Sequence, residues 1–163
     1  MMSSVTTKTA PQQQTALVGV ILLLMRDGKV FLQKRESADG WLNRYAPVAG
    51  KVDDFELPSQ AMIREAAEEI GITIQPENLR MACMVQWNAL PDKHGQLKNY
   101  IEYYYQCDVF DGEPVIMEPE KASDIGFYAL DQLPDKTVGS VNLVLDAIER
   151  GQYFLEWSGQ DRF

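Results

Sequence analysis

One stretch, residues 50–72, constrains the fold and the chemistry of this chain more than any other. It reads GKVDDFELPSQAMIREAAEEIGI. Pro58 suits the first turn of a helix, where its missing N–H costs no hydrogen bond, and Gly71 suits the left-handed residue that often ends a helix. Apolar residues recur between them at helical spacing, which predicts a buried stripe made of Met62, Ile63, Ala66, Ala67 and Ile70.

Three glutamates crowd one face of this predicted helix. Glu65, Glu68 and Glu69 stand at positions i, i+3 and i+4, which lie on the same side of a helix. Like charges at i and i+4 destabilise a helix by about 0.2–0.5 kcal/mol per pair, so Glu65 and Glu69 repel each other without a counter-charge. Arg64 can pair with Glu68, but one guanidinium cannot neutralise three carboxylates. A hard divalent cation such as Mg²⁺ can, because it takes oxygen ligands and is often shared with substrate phosphates.

The residues ahead of the helix also suit a site for a divalent cation. Gly50 indicates a tight loop in which a backbone carbonyl oxygen can approach bound cations. Glu56 lies near the helix start, where it either interacts favourably with the helix dipole or holds Arg64 in place. A plain solvated acidic face is the simpler interpretation of an isolated ExxEE pattern. The spacing of the whole stretch argues against that interpretation.

The stretch resembles the Nudix box, G-x5-E-x7-R-E-U-x-E-E-x-G-U, in which U is an apolar aliphatic residue. Its fixed positions are filled by Gly50, Glu56, Arg64, Glu65, Glu68, Glu69, Gly71 and Ile72, and Ala66 occupies the first U position. The resemblance covers 23 of the 163 residues and is specific, because eight chosen identities fall at fixed offsets. Many members have glycine where this chain has Ala49 and Phe55, and neither departure touches a ligand position.

The resemblance implies a fold, a reaction and a cofactor. The fold is an α/β/α sandwich with a mixed β-sheet, in which the box forms a loop–helix–loop. The reaction is hydrolysis of a diphosphate linkage in a nucleoside diphosphate derivative, with Mg²⁺ held by the carbonyl of Gly50 and by Glu65, Glu68 and Glu69; Mn²⁺ often substitutes. Arg64 would orient the acids, with Glu56 as its partner. One carboxylate, from the box or from a later loop containing Glu118 and Glu120, would accept a proton.

Composition limits the partners and the location. The net charge is −9, which argues against broad binding to nucleic acid or anionic membranes. A small polyanionic substrate remains compatible, because bound cations invert the local charge. Two cysteines cannot form a disulfide framework and suit a reducing compartment, so we expect a cytoplasmic protein. Its length predicts one domain over residues 16–163, after a flexible polar tail over residues 1–15.

The remaining sequence predicts strands, hairpins and a second helix. Residues 16–25 are too short an apolar run for a membrane helix and predict a buried strand, followed by an Asp27-Gly28 turn and a return strand. Residues 79–87 and 100–110 are strand-like, with a long polar loop over 88–99, and residues 124–130 predict a further strand. A second helix is predicted from Val141, Val144, Leu145 and Ile148, with Gly151 at its end. Residues 153–163 receive no element.

The substrate is less constrained than the reaction. Arg35 and Arg44 are candidate phosphate ligands, although surface charge is the commoner role of such residues. Arg35 is favoured by its place at the end of the hairpin. A nucleoside triphosphate, either normal or oxidised, is the first choice, and ADP-ribose or a nucleotide sugar is the alternative. A catalytically silent ligand-sensing domain and an acidic scaffold are the non-enzyme alternatives, and a homodimer is left open.

Overall fold

The computed structural model describes residues 15–36, 42–92 and 94–158. The predicted flexible tail therefore lies outside the described residues, apart from Thr15. The elements, in chain order, are β1 (Ala16–Arg26), β2 (Lys29–Arg35), β3 (Tyr45–Ala46), β4 (Val48–Lys51), α1 (Pro58–Ile70), a 3-10 turn (Pro76–Asn78), β5 (Arg80–Pro91), β6 (Leu97–Cys107), β7 (Ala122–Ala129), α2 (Gly139–Glu149) and β8 (Phe154–Ser158).

The eight strands form one mixed sheet organised around β1. The sheet runs β3-β2-β1-β6-β5-β8, with β4 paired to β1 and β7 paired to β2. On one side, β1 is parallel to β6 along most of its length. On the other side it is antiparallel, first to β4 and then, near the turn, to β2. This division leaves β4, which contains Gly50, beside the first half of β1.

The two helices cover opposite faces of the sheet. Successive residues of β1 point to alternate faces. Val20, Leu22 and Leu24 pack with the buried residues of α1, whereas Ile21 and Leu23 belong to a second cluster that includes Val144 of α2. This arrangement confirms the predicted α/β/α sandwich with a mixed sheet.

Local sequence signals account for both ends of α1. At its start, the Leu57 backbone N–H donates to Gln60 Oε1 at 3.1 Å. At its end, Gly71 adopts φ 70° and its N–H donates to the Ala67 carbonyl oxygen, as the sequence predicted. The buried residues are Ala61, Met62, Ala66 and Ile70.

Two details of the predicted stripe on α1 differ from the structure. Ile63 is half-buried, although it packs against the core, and Ala67 is exposed. The prediction for Ala67 was wrong because that position is rotated about 100° around the helix from Ala66, beyond the face that meets the sheet.

The Asp27-Gly28 hairpin is confirmed, with positive φ at both residues. The predicted loop over residues 88–99 is much shorter than expected, since β5 continues to Pro91 and β6 begins at Leu97. The strands β5 and β6 stay paired across these polar residues because their register shifts between Trp87 and Leu90.

The strand β8 was missed by the sequence analysis. It runs parallel to β5, with Leu155 opposite Val85 and Trp157 opposite Trp87. Within the described ranges, no helix is long and apolar enough to cross a membrane.

Candidate active site

The strand β4 places Gly50 directly against the side chain of Glu65 on α1. An ideal Cβ atom built at position 50 would overlap the carboxyl group of Glu65. The same glycine is paired with Val20 of the central strand, so its backbone cannot move aside. A side chain at position 50 would therefore displace Glu65 rather than the strand.

Arg64 is the centre of a network of carboxylates. Its Nε and Nη2 donate to the two oxygens of Glu56, each at 2.9 Å. Its Nη1 donates to Glu65 Oε1 at 2.8 Å and to Glu68 Oε2 at 3.1 Å, and Nη2 also donates to the Lys51 carbonyl oxygen at 3.1 Å. One guanidinium thus fixes Glu65 and Glu68 relative to strand β4, which contains Gly50. The tight loop predicted at Gly50 was wrong, because this residue is paired with Val20 in the sheet.

The network has an electrostatic consequence for Glu56. The hydrogen bonds from Arg64 lower the pKa of the Glu56 carboxyl group to about 2, with a further contribution from the Asp53 backbone N–H. The same bond raises the pKa of Arg64 above its already high value. Glu56 therefore stays ionised and holds Arg64, which agrees with one of the two roles considered for it from the sequence.

Glu69 lies in a different environment from the other box acids. Its Oε2 accepts a hydrogen bond of 2.6 Å from Nε2 of Gln33. Burial raises the pKa of Glu69 to about 7, although the Gln33 bond and the charge of Arg35 oppose the shift. Among the described residues, Gln33 is the one buried polar or charged residue, with 4% exposure. Sequence reasoning missed Gln33, because an isolated glutamine in an apolar strand carries no motif.

A loop from outside the box closes over the end of α1. The Val115 N–H donates to the Ile70 carbonyl oxygen at 3.0 Å, and the Met117 N–H donates to that of Glu69 at 3.1 Å. These bonds satisfy carbonyl groups that have no partner within the helix. They also anchor the next residue in the chain, Glu118, near the acidic face.

Glu118 and Lys121 contribute further charge to the site. Lys121 Nζ donates to Glu118 Oε1 at 2.7 Å. The charge of Glu118 contributes to the raised pKa of Glu69, and the charges of Glu69 and Glu65 contribute to the raised pKa of Lys121. The sequence analysis named Glu118 but missed Lys121, whose i, i+3 spacing from Glu118 was the available signal.

The structure separates the other candidate substrate residues. The charge of Arg35 acts on Glu69, so the hairpin and the box are neighbours. Arg44 is exposed, lies beside Lys136 in an open cavity of about 320 Å³, and has no recorded contact with the box among the described residues. Glu120 is also exposed and, within the same part of the chain, has no recorded contact with the box.

The donors suit a hard divalent ion, but they do not form a ready-made shell. Glu65 and Glu68 converge on the same guanidinium nitrogen, and the missing side chain of Gly50 keeps that backbone open to Glu65. In the described ranges, no three His, Cys, Asp or Glu side chains already surround one point. Arg64 occupies oxygens that a cation would need, so a bound ion would have to share or replace those hydrogen bonds. The ligand assignments remain a prediction.

Comparison with known proteins places this arrangement in a family. The family model described as the NUDIX domain matches residues 14–146. The chain belongs to the NUDIX family. A crystal structure of the MutT NUDIX hydrolase from Burkholderia pseudomallei matches with a TM-score of 0.71 and 29% identity, covering 82% of this chain and 98% of that one.

Two proteins of similar sequence have names that describe diphosphatase or pyrophosphohydrolase activity. The 8-oxo-dGTP diphosphatase of Escherichia coli (strain K12) is 26% identical over 97 residues, which is 60% of this chain and 69% of that protein. The RNA pyrophosphohydrolase of Vibrio vulnificus (strain YJ016) is 29% identical over 99 residues, 54% of this chain. The chain spans about half the length of that relative, 55%.

These comparisons confirm the MutT-like Nudix hydrolase predicted from the box, and with it the enzyme class, a pyrophosphohydrolase. The ligand-sensing and scaffold alternatives are therefore not supported. NUDIX hydrolases generally need divalent metal ions and act on small nucleotide substrates.

Proposed function

We propose that this chain hydrolyses a nucleoside triphosphate, normal or oxidised, to the monophosphate and diphosphate in a Mg²⁺-dependent reaction. The observation that carries the proposal is the guanidinium of Arg64, which binds Glu56, Glu65 and Glu68 together beside the Gly50 backbone. Two carboxylates of one helix face, Glu65 and Glu68, and a third from the preceding segment, Glu56, have no need to converge on one guanidinium for stability alone. They are useful where phosphate oxygens and cations must be bound together.

Each residue has a defined part in this proposal. The carbonyl oxygen of Gly50 and the carboxylates of Glu65, Glu68 and Glu69 would hold Mg²⁺, for which Mn²⁺ would substitute. When bound, the ion neutralises diphosphate oxygens and lowers the pKa of a bound water. Arg64 orients Glu65 and Glu68, and Glu56 holds Arg64.

The proposed reaction is a direct attack of water on phosphorus and needs no covalent intermediate. Water oxygen attacks phosphorus, the bridging P–O bond breaks, and diphosphate leaves with the electron pair of that bond. The proton from the water passes to a carboxylate of the box or to Glu118, which lies close enough to influence Glu69. Arg35 and Lys121 are two further cations whose charges interact with Glu69, and they would bind the substrate's phosphates.

The choice of a triphosphate is supported by the name of the Escherichia coli relative. ADP-ribose or a nucleotide sugar remains the alternative substrate class. The relatives named RNA pyrophosphohydrolase add RNA as a third candidate substrate. The net charge of −9 disfavours a long polyanion.

A substrate panel with product identification tests the proposal. The panel contains nucleoside triphosphates, an oxidised guanine nucleotide, ADP-ribose, a nucleotide sugar and a triphosphate-ended RNA, each with Mg²⁺ and with a chelator. We expect diphosphate and monophosphate from a triphosphate, and no products with the chelator. Metal-independent turnover would contradict the proposed mechanism, and turnover restricted to ADP-ribose or sugars would select the alternative.

A further inference from the structure

The buried amide of Gln33 is a polar group without a part in the proposed mechanism. The strand around it is apolar, with Val30, Phe31 and Leu32 fully or almost fully buried. An amide placed in such surroundings is unfavourable unless its hydrogen-bonding groups are satisfied. A leucine at this position would avoid that cost, so the glutamine calls for an explanation outside core packing.

The contact of Gln33 points to a single group. Its Nε2 donates to Glu69 Oε2 at 2.6 Å, and in the described part of the chain Gln33 is the side chain that donates a hydrogen bond to this carboxyl group. The bond joins strand β2 to helix α1 at the residue that the proposed function makes a metal ligand.

The strand that carries Gln33 is held from both sides. Gln33 pairs with Ala46 of β3 and with Ile125 of β7. The Gln33 and Glu69 side chains have the same number of rotatable bonds, and each starts from a fixed backbone, one in β2 and one in α1. Because the amide is buried, with 4% exposure, its hydrogen bond fixes the orientation of the Glu69 carboxyl group relative to β2.

We infer that Gln33 is a positioning residue, which occupies Oε2 of Glu69 and leaves Oε1 as the oxygen that meets the divalent ion. The inference rests on the proposed function, since it requires that Glu69 bind a metal. Groups that orient metal ligands in this way typically change metal affinity or activity by about 10–100-fold when they are removed.

The first test measures metal binding without substrate. Gln33→Met keeps the length and most of the volume of the side chain and removes the donor. Binding of Mn²⁺ is followed by the loss of the free-ion EPR signal. We expect the affinity of Gln33→Met for Mn²⁺ to fall about 10-fold, while kcat at saturating Mn²⁺ returns close to the wild-type value. Lys34→Met, the next residue along β2 and on the opposite face, is the matched control and should bind Mn²⁺ normally.

A double-mutant cycle separates positioning from general damage. In a Glu69→Met background both the acceptor oxygen and the proposed ligand oxygen are absent, so adding Gln33→Met should not weaken Mn²⁺ binding further. An equal loss in both backgrounds would overturn the inference. So would unchanged Mn²⁺ affinity in a folded Gln33→Met protein.

A measurement on the unmodified protein covers the case in which the methionine variant does not fold. The ¹⁵N–¹H resonance of the Gln33 side-chain amide should shift when Mg²⁺ is added. The reason is that a bound ion redistributes the charge of the Glu69 carboxylate, which accepts the hydrogen bond of this amide. A resonance that stays in place while Mg²⁺ binds would overturn the inference. Failure of the wild-type protein to bind Mn²⁺ at all would overturn the metal site of the proposed function as well, which distinguishes the two failures.

Discussion

The Gly50 backbone lies against the Glu65 carboxyl group so closely that a Cβ atom at position 50 would overlap it. The backbone at this glycine is outside the left-handed region, so an alanine can adopt it. Gly50 is therefore required for space, and what it makes room for is a candidate metal ligand.

Gly50→Ala should lower the activity of the protein while leaving its stability almost unchanged. The flexible end of Glu65 can swing away from the new methyl group, so we expect thermal unfolding within a few degrees of wild type. Because a misplacement of about 1 Å can cost about 10²-fold in rate, kcat/KM should fall by about that factor. Gly19→Ala, in strand β1, is the control and should retain activity, because a Cβ atom there would meet no atom closer than 3.6 Å. Wild-type turnover in Gly50→Ala would remove Glu65 from the site.

Glu68→Gln should lose most activity with little loss of stability. The Glu68 side chain is 55% exposed and is bonded to Arg64 at 3.1 Å. A surface ion pair of this kind contributes about 0–1 kcal/mol to folding, whereas loss of a ligand charge should reduce kcat/KM at least about 100-fold, beyond the effect of most orienting groups. The measurement is kcat/KM at saturating Mg²⁺ beside a denaturation curve. Glu77→Gln, exposed in the 3-10 turn, is the control, and near-normal turnover of Glu68→Gln would refute the ligand assignment.

The two acids outside the box should behave differently. Glu118 is bonded to Lys121 and acts on the charge of Glu69, whereas Glu120 has no recorded contact with the box among the described residues. We expect Glu118→Gln to lower kcat about 10-fold or more, as removal of a general base or of an orienting group does, and Glu120→Gln to leave kcat unchanged. Steady-state kinetics at saturating Mg²⁺ compare the two variants directly. The reverse order would mean that the loop closes differently over the site.

Glu69 should destabilise the metal-free protein at alkaline pH. Its pKa is raised from 4.5 to about 7 by burial, so between these values the native state holds more protons than the unfolded chain. Stability that this group contributes is therefore full below about pH 4.5 and is lost as the pH rises through about 7. We expect Glu69→Gln to raise the free energy of unfolding by about 1–3 kcal/mol at pH 8 and not at pH 4.

Denaturation in a chelator at the two pH values measures this effect. Glu77→Gln serves again as the exposed control and should change neither curve. Equal stability of wild type and Glu69→Gln at pH 8 would show that the Glu69 carboxylate is not buried at a cost.

Much of the site follows from local spacing. The positions of Glu65, Glu68 and Glu69 on one face require only the geometry of a helix, and Gly71 required only the preference of glycine for positive φ. The same holds for the Asp27-Gly28 turn. Predictions failed where long-range packing decides, as at Ala67 and in β8, because neither exposure nor sheet pairing is encoded within a few residues.

Five expectations from the sequence stay predictions: the ligand assignments, the choice of Mg²⁺, the single domain with its flexible tail, a cytoplasmic location and a homodimer. Arg44 and Glu120, both named from the sequence, have no structural support at the box among the described residues.

The sequence by itself determined the acidic helix, its ends and the family chemistry, because these depend on the order of neighbouring residues. Only the tertiary structure decided which groups surround that helix. Gln33 reaches Glu69 across 36 positions of the chain, and the loop containing Glu118 returns from further away to satisfy the carbonyl groups of α1. Such contacts are set by the pairing of β2 and by packing against the core, which arise only when the whole sheet has formed.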